Sequence, residues 1–167
     1  MAAMSLLAID PGYTKSAWLL FSDGRPCAFG IEANEDLLQR LAGTHLAGVQ
    51  LAIESVASYG MAVGAEVFET CVWSGRLIQR WEDSYALKVP ALRVYRRDVK
   101  LHICGSMRAK DANVRQALID RYGPGKDLAI GRKATPGPLF GITSHVWAAL
   151  GVAVTASETM LSERAAA

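Results

Sequence analysis

The segment VQLAIESV, residues 49–56, is apolar at nearly every position until it reaches a carboxylate. A strand of that kind has no solvent face. It belongs inside a sheet covered on both sides, which is the situation of a parallel strand flanked by helices. The rest of the chain must then supply neighbouring strands and two sets of helices, and with 51% apolar residues over 167 positions it has the material for one such core.

The flanking sequence meets that demand. SLLAID, SAWLLF and PCAFGIE follow one another closely, with Asp23-Gly24 between the second and third as a hairpin signal, and read as an antiparallel meander. NEDLLQRLA, 34–42, reads as a short helix with Asn34 as its N-cap and acids in its first turn. GAEVFETCVWSGRLIQRWED spaces Phe68, Cys71, Val72, Gly75 and Ile78 as one helical face, expected to pack on the sheet. ALRVY, 91–95, is a further strand, and AKDANVRQALIDRYG, 109–123, a helix with Val114, Ala117, Leu118 and Tyr122 on one face. GPGKDLAIGRKATPGPLFG has no period and reads as a mobile loop. The last helix, from about Thr143 to Ala156, is apolar nearly all round except for its first turn, where His145 lies. The expected fold is α/β: a mixed five-stranded sheet, three antiparallel strands and then two parallel ones, flanked by helices, in a single domain over 1–160 with a disordered tail at 161–167.

Several classes are excluded. The apolar start of the chain stops at Asp10 with no positive segment before it, too early for a signal peptide or membrane span, so a cytoplasmic protein is expected. Cys27, Cys71 and Cys104 are odd in number and far apart, against a disulfide framework or a CxxC metal site, and are expected as buried small side chains. Charge is the more telling property. Residues 88–133 hold twelve of the eighteen Lys and Arg against four Asp, which is +8 there and −6 elsewhere. Such a segment fits a polyanion partner, although solvated helix faces give the same pattern.

Asp10 and Glu54 share a grammar, each ending an apolar run, LLAI and LAI. On its own, Asp10 before Pro11-Gly12 reads equally well as a turn residue. If both strands are parallel neighbours, however, their carboxyl ends lie on one rim, where ligands of open α/β sheets bind. Paired carboxylates there are suited to Mg²⁺, which keeps several waters and takes other ligands from phosphates. Two such ions would activate water on one side of a phosphodiester and stabilise the leaving oxygen on the other.

Four segments, in order along nearly the whole chain, resemble the RuvC family of Holliday-junction resolvases, which have the ribonuclease H fold: AIDPGYTKSAW, LAIESV, YRRDVKLHICGSMRAKDANVRQAL and SHVWAALGVAVT. The resemblance implies a nuclease resolving four-way DNA junctions by paired Mg²⁺-dependent nicks, with Mn²⁺ able to substitute, and a homodimer paired through the helix after Glu54. It implies metal ligands at Asp10, Glu54 and His145. The family pattern has an acid three residues beyond the His position, where this chain has Ala148, so either three ligands serve or the chain is an inactivated variant. In the basic stretch Val99, Lys100, Gly105 and Val114 fit the family pattern, but a family Lys aligns with Asp111. Phosphate contacts are expected from Lys88, Arg97, Lys100, Arg108, Lys110, Arg115 and Lys133. Tyr59 is a candidate for stacking on a base, although the aligned position is Ala57. The short form suits a phage or prophage member. Two other classes fit parts of the pattern: a DNA-binding module without catalysis, which Ala148 permits, and an actin-like nucleotide-binding domain, whose fold needs a longer chain.

Overall fold

The computed structural model describes residues 5–43, 46–84 and 90–166. Its strands and helices are, in order, β1 (Ser5–Asp10), β2 (Lys15–Ser22), β3 (Arg25–Ala33), α1 (Asn34–Arg40), β4 (Val49–Ser55), α2 (Ala65–Ser84), β5 (Leu92–Tyr95), α3 (Arg96–Cys104), α4 (Asp111–Tyr122), α5 (Lys126–Ala129), β6 (Gly131–Arg132), β7 (Thr135–Pro136) and α6 (Val146–Ala166). The main sheet runs β3-β2-β1-β4-β5. Its first three strands are antiparallel, while β1–β4 and β4–β5 are parallel. The mixed five-stranded sheet expected from the sequence is therefore present. Asp23 and Gly24, both at positive φ, make the hairpin between β2 and β3.

Alternation along the central strands sorts the core into two layers. Leu6 and Ala8 of β1 and Ala52 of β4 face a cluster with Val99 of α3, Val114 and Leu118 of α4, and the apolar length of α6. Leu7 and Ile9, with Leu51 and Ile53, face the opposite way onto Leu37 of α1 and Leu77 and Trp81 of α2. The same parity puts Asp10 and Glu54 on the face covered by α3, α4 and α6. Gly151 lets α6 lie close to α3, since a Cβ there would stand 3.0 Å from Val99 Cγ1.

Five expectations are corrected. Helix α2 turns Trp73, Leu77 and Trp81 inward, leaving Phe68, Cys71 and Val72 exposed and only Ile78 of the expected face packed against the core. Both stripes have helical spacing, and the larger Trp-Leu-Trp stripe buries more apolar area. Asn34 is no cap; Ala33 holds that place, and Asn34 is fully buried. The segment after Gly123 forms α5 and a β6–β7 hairpin, held by Gly137 N–H to the Ile130 carbonyl at 2.9 Å and Leu139 N–H to the Ala129 carbonyl at 2.8 Å. Cys27 and Cys71 are exposed and only Cys104 is partly buried. Helix α6 begins at Val146, so His145 precedes it, and it continues to Ala166 through the segment assigned to a tail. No helix among the described residues is long and apolar enough to cross a membrane.

Candidate functional site

Parallel pairing of Ile9 with Ile53 brings the next residues, Asp10 and Glu54, side by side at the strand ends. Glu54 is itself paired with Val94, two positions before Arg96, so the third parallel strand delivers Arg96 to the same rim. The turn after β1 is fixed from beneath. Ser16 Oγ accepts from Gly12 N–H at 3.2 Å and donates to Asn34 Oδ1 at 2.6 Å, while Asn34 Nδ2 donates to the Gly12 carbonyl at 2.9 Å. A side chain at Gly12 would collide with the Lys15 carbonyl oxygen, so only glycine closes this turn. The Asp-Pro-Gly sequence is thus a built support for the Asp10 carboxylate.

Around the two carboxylates the polar groups are unevenly satisfied. Asp10 Oδ2 lies 3.0 Å from His145 Nδ1. His145 is otherwise exposed, held in a turn whose preceding residue, Ser144, has φ of 48°. That left-handed conformation is uncommon for a residue with a side chain and typical of functional turns. Arg96 Nη2 is 2.8 Å from Asp111 Oδ1, and Lys100 Nζ stands 3.7 Å from the same oxygen. Arg96 Nη1 is 3.7 Å from Glu54 Oε2, too far for a hydrogen bond, and both atoms are buried without a hydrogen-bond partner.

These contacts set the acidities. Burial, then the charge of Asp10, pushes the Glu54 carboxyl up to about 7 against the pull of Arg96. Burial likewise raises Asp10, with His145 opposing it. The hydrogen bond from Arg96 holds Asp111 below the ordinary carboxylate range. Among the described residues no three His, Cys, Asp or Glu side chains are gathered closely enough to share one metal ion. Two carboxylates still suffice for Mg²⁺. The unpaired Glu54 oxygen and its repulsion from Asp10 fit a divalent cation at that pair.

Two depressions open here, and Arg96 is part of both. One is lined by Asp10, Pro11, Glu54, Tyr59 and Thr70. The other is lined by Asp111, Arg115, Ser144, His145 and Ala148, placing the methyl of Ala148 beside His145 as the sequence spacing implies. Arg97, Lys100 and Met107 surround an adjoining hollow with Tyr59, whose ring is 60% exposed. Arg115 stacks over Trp147 at 4.8 Å. Of the remaining cations, Arg108, Lys110 and Lys133 are exposed but line none of these depressions, and Lys88 lies outside the described residues. Arg96 is the functional candidate that reading the sequence missed. The available signal was its place immediately after the third parallel strand, the same grammar that singled out Asp10 and Glu54.

A scan against protein-family models finds no match, and a search among curated proteins finds none either. The fold does have solved counterparts. The chain is similar to the Thermus thermophilus RuvC structure, with a TM-score of 0.67 and 17% identity over 95% of this chain and 97% of that one. It is equally similar, at a TM-score of 0.67 and 17% identity, to T. thermophilus RuvC in complex with a Holliday junction substrate, over 94% of each chain. At this identity the likeness establishes a RuvC-like fold.

Proposed function

We propose that the chain is a structure-selective endonuclease acting on four-way or related branched DNA, with a divalent metal, Mg²⁺ or Mn²⁺, held by Asp10 and Glu54. The observation that carries this reading is the pair of buried, mutually repelling carboxylates at an open rim of a RuvC-like fold, with Glu54 pushed up to about 7 by burial and by the charge of Asp10. When bound, such an ion polarises a phosphodiester and lowers the pKa of its water. The chain's own residues do the rest. His145 is oriented by its Nδ1 contact with Asp10, which leaves Nε2 toward solvent to take or return a proton. Arg97, Lys100 and Arg115 border the rim and would hold DNA by its phosphates, without reading sequence, while the exposed Tyr59 ring offers a stacking surface for an unpaired base.

A second copy of the chain is the partner this reading requires, because two symmetric nicks need two sites and a C₂ pair supplies them. The outward face of α2, with Phe68 64% and Val72 54% exposed, supports that arrangement. Ala148 favours one other reading, binding without cleavage, since a methyl group cannot ligate an ion. Comparing binding and nicking of four-way, three-way and linear DNA, with and without Mg²⁺, separates the two. The nuclease reading expects Mg²⁺-dependent nicks in the junction that Asp10→Asn abolishes. Equal affinity for all three DNAs, or nicking indifferent to Asp10, would overturn it.

A further inference from the structure

We infer that Arg96 is the cation that contacts the scissile phosphate and that Asp111 is the residue that positions it, an assignment that rests on the nuclease reading above. The guanidinium belongs to both depressions of the site, one holding the Asp10–Glu54 pair and the other His145 and Ala148. One of its nitrogens is committed: Nη2 donates to Asp111 at 2.8 Å. The other is not. Nη1 is buried, has no acceptor, and stands 3.7 Å from Glu54. A buried charged donor left without a partner is unfavourable, and it persists where a ligand completes it.

An oxyanion would supply the acceptor that Nη1 lacks among the described residues. Glu54 Oε2 stands beside Nη1, and at 3.7 Å the two attract without bonding. Nη1 is covered as the side chain now lies, so an oxygen of a phosphodiester entering from the rim would meet that N–H once the guanidinium turns outward about its Asp111 contact. Arg suits this task through its planar fork, which here spends one side on an anchoring carboxylate and keeps the other for phosphate. Asp111, at the first position of α4, would otherwise be an awkward acid on a DNA-binding surface. Its pairing with Arg96 and Lys100 explains it, since it aims the first and is neutralised by both. The depression containing Ala148 thus carries a fixed guanidinium, giving this part of the site a positive charge without a metal ligand at 148.

The test compares Arg96→Met, Arg96→Lys, Asp111→Asn and the Arg96→Met/Asp111→Asn double variant. It is made in the unsubstituted sequence and in an Ala148→Asp background. Mn²⁺ binding without DNA is read by electron paramagnetic resonance, four-way-junction affinity is read across a salt series in Ca²⁺, and nicking is read in Mg²⁺. Removing a positive charge beside Glu54 should tighten Mn²⁺ binding about tenfold in Arg96→Met. The same variant should lose about 0.9 from the slope of log K against log salt, one phosphate contact. Nicking should fall about 100-fold or more, with Arg96→Lys recovering part of it. Asp111→Asn should weaken nicking alone but add nothing to Arg96→Met, because it acts through that side chain. A merely structural Arg96 would loosen the site when removed and weaken Mn²⁺ binding, the opposite sign. Weaker Mn²⁺ binding, an unchanged salt slope, or additive effects of the two substitutions would overturn the assignment. Absence of both Mn²⁺ binding and junction preference in the unsubstituted protein would instead overturn the nuclease reading beneath it.

Discussion

Glu54→Gln should make the metal-free protein more stable, and only above the ordinary carboxylate range. Burial and the adjacent Asp10 lift the Glu54 carboxyl from 4.5 to about 7 in the folded chain. In the unfolded chain it ionises near its ordinary value, so between these limits the folded state holds a proton that unfolding releases. Stability therefore declines as pH rises through this window, the reverse of a salt-bridged acid, and the loss is complete above about pH 7. At about 1.4 kcal/mol for each tenfold in proton affinity, the full penalty is about 3 kcal/mol. Gln carries none of it, because its amide resembles the protonated acid in shape and charge. For a chain of this size about 3 kcal/mol corresponds to a Tm difference of about 6–12 °C. Thermal unfolding followed by circular dichroism in EDTA should show Glu54→Gln melting higher by that amount near pH 8 and together with the unsubstituted protein near pH 4. Adding Mg²⁺ should close the gap at pH 8, since an ion bound by the native carboxylates stabilises only the protein that has them. Equal melting at both pH values, or a lower Tm for Glu54→Gln at pH 8, would refute the claim that burial and Asp10 make the charged form of this carboxyl unfavourable.

Other outcomes follow from different parts of the molecule. Ala148→Asp, in the depression beside His145, should raise Mg²⁺-dependent junction nicking at least about tenfold, and a gel that shows no gain would remove any catalytic importance from position 148. Phe68→Glu places a charge on the exposed face of α2; sedimentation should show the proposed homodimer weakened about 100-fold or more, with the monomer's own stability within about 0.5 kcal/mol of the original. Asn34→Ala strips Ser16 and the Gly12 carbonyl of their buried partner and should cost about 2–3 kcal/mol, read as a lower denaturation midpoint at unchanged m-value.

What could be read in the sequence was whatever a single strand decides alone. Residues LLAID and LAIE carry their own period and their own end, so the positions of Asp10 and Glu54 on one rim followed once β1 and β4 were parallel. Which stripe of α2 turns inward was not of that kind. Phe68, Cys71 and Val72 have a helical period as good as that of Trp73, Leu77 and Trp81, and only the sheet beneath, with Leu51 and Ile53 awaiting Leu77 and Trp81, distinguishes them. Asn34 shows the same limit at a helix start: its local preference is to cap, but Ser16 of β2 and the Gly12 carbonyl of the β1–β2 turn, which take its side chain, outweigh it. Arg96 is the furthest case. A basic residue among twelve in its region reads as one more phosphate contact or one more solvated charge until Asp111, fifteen positions later, is seen to take one of its nitrogens and Glu54, from another strand, is seen beside the other. Its neighbours Arg97 and Lys100 are the same residue types in the same basic run, but neither holds a buried donor without an acceptor. The difference between a cation that attracts DNA and one that meets its scissile phosphate is therefore a matter of what surrounds each nitrogen, and three separate elements set that.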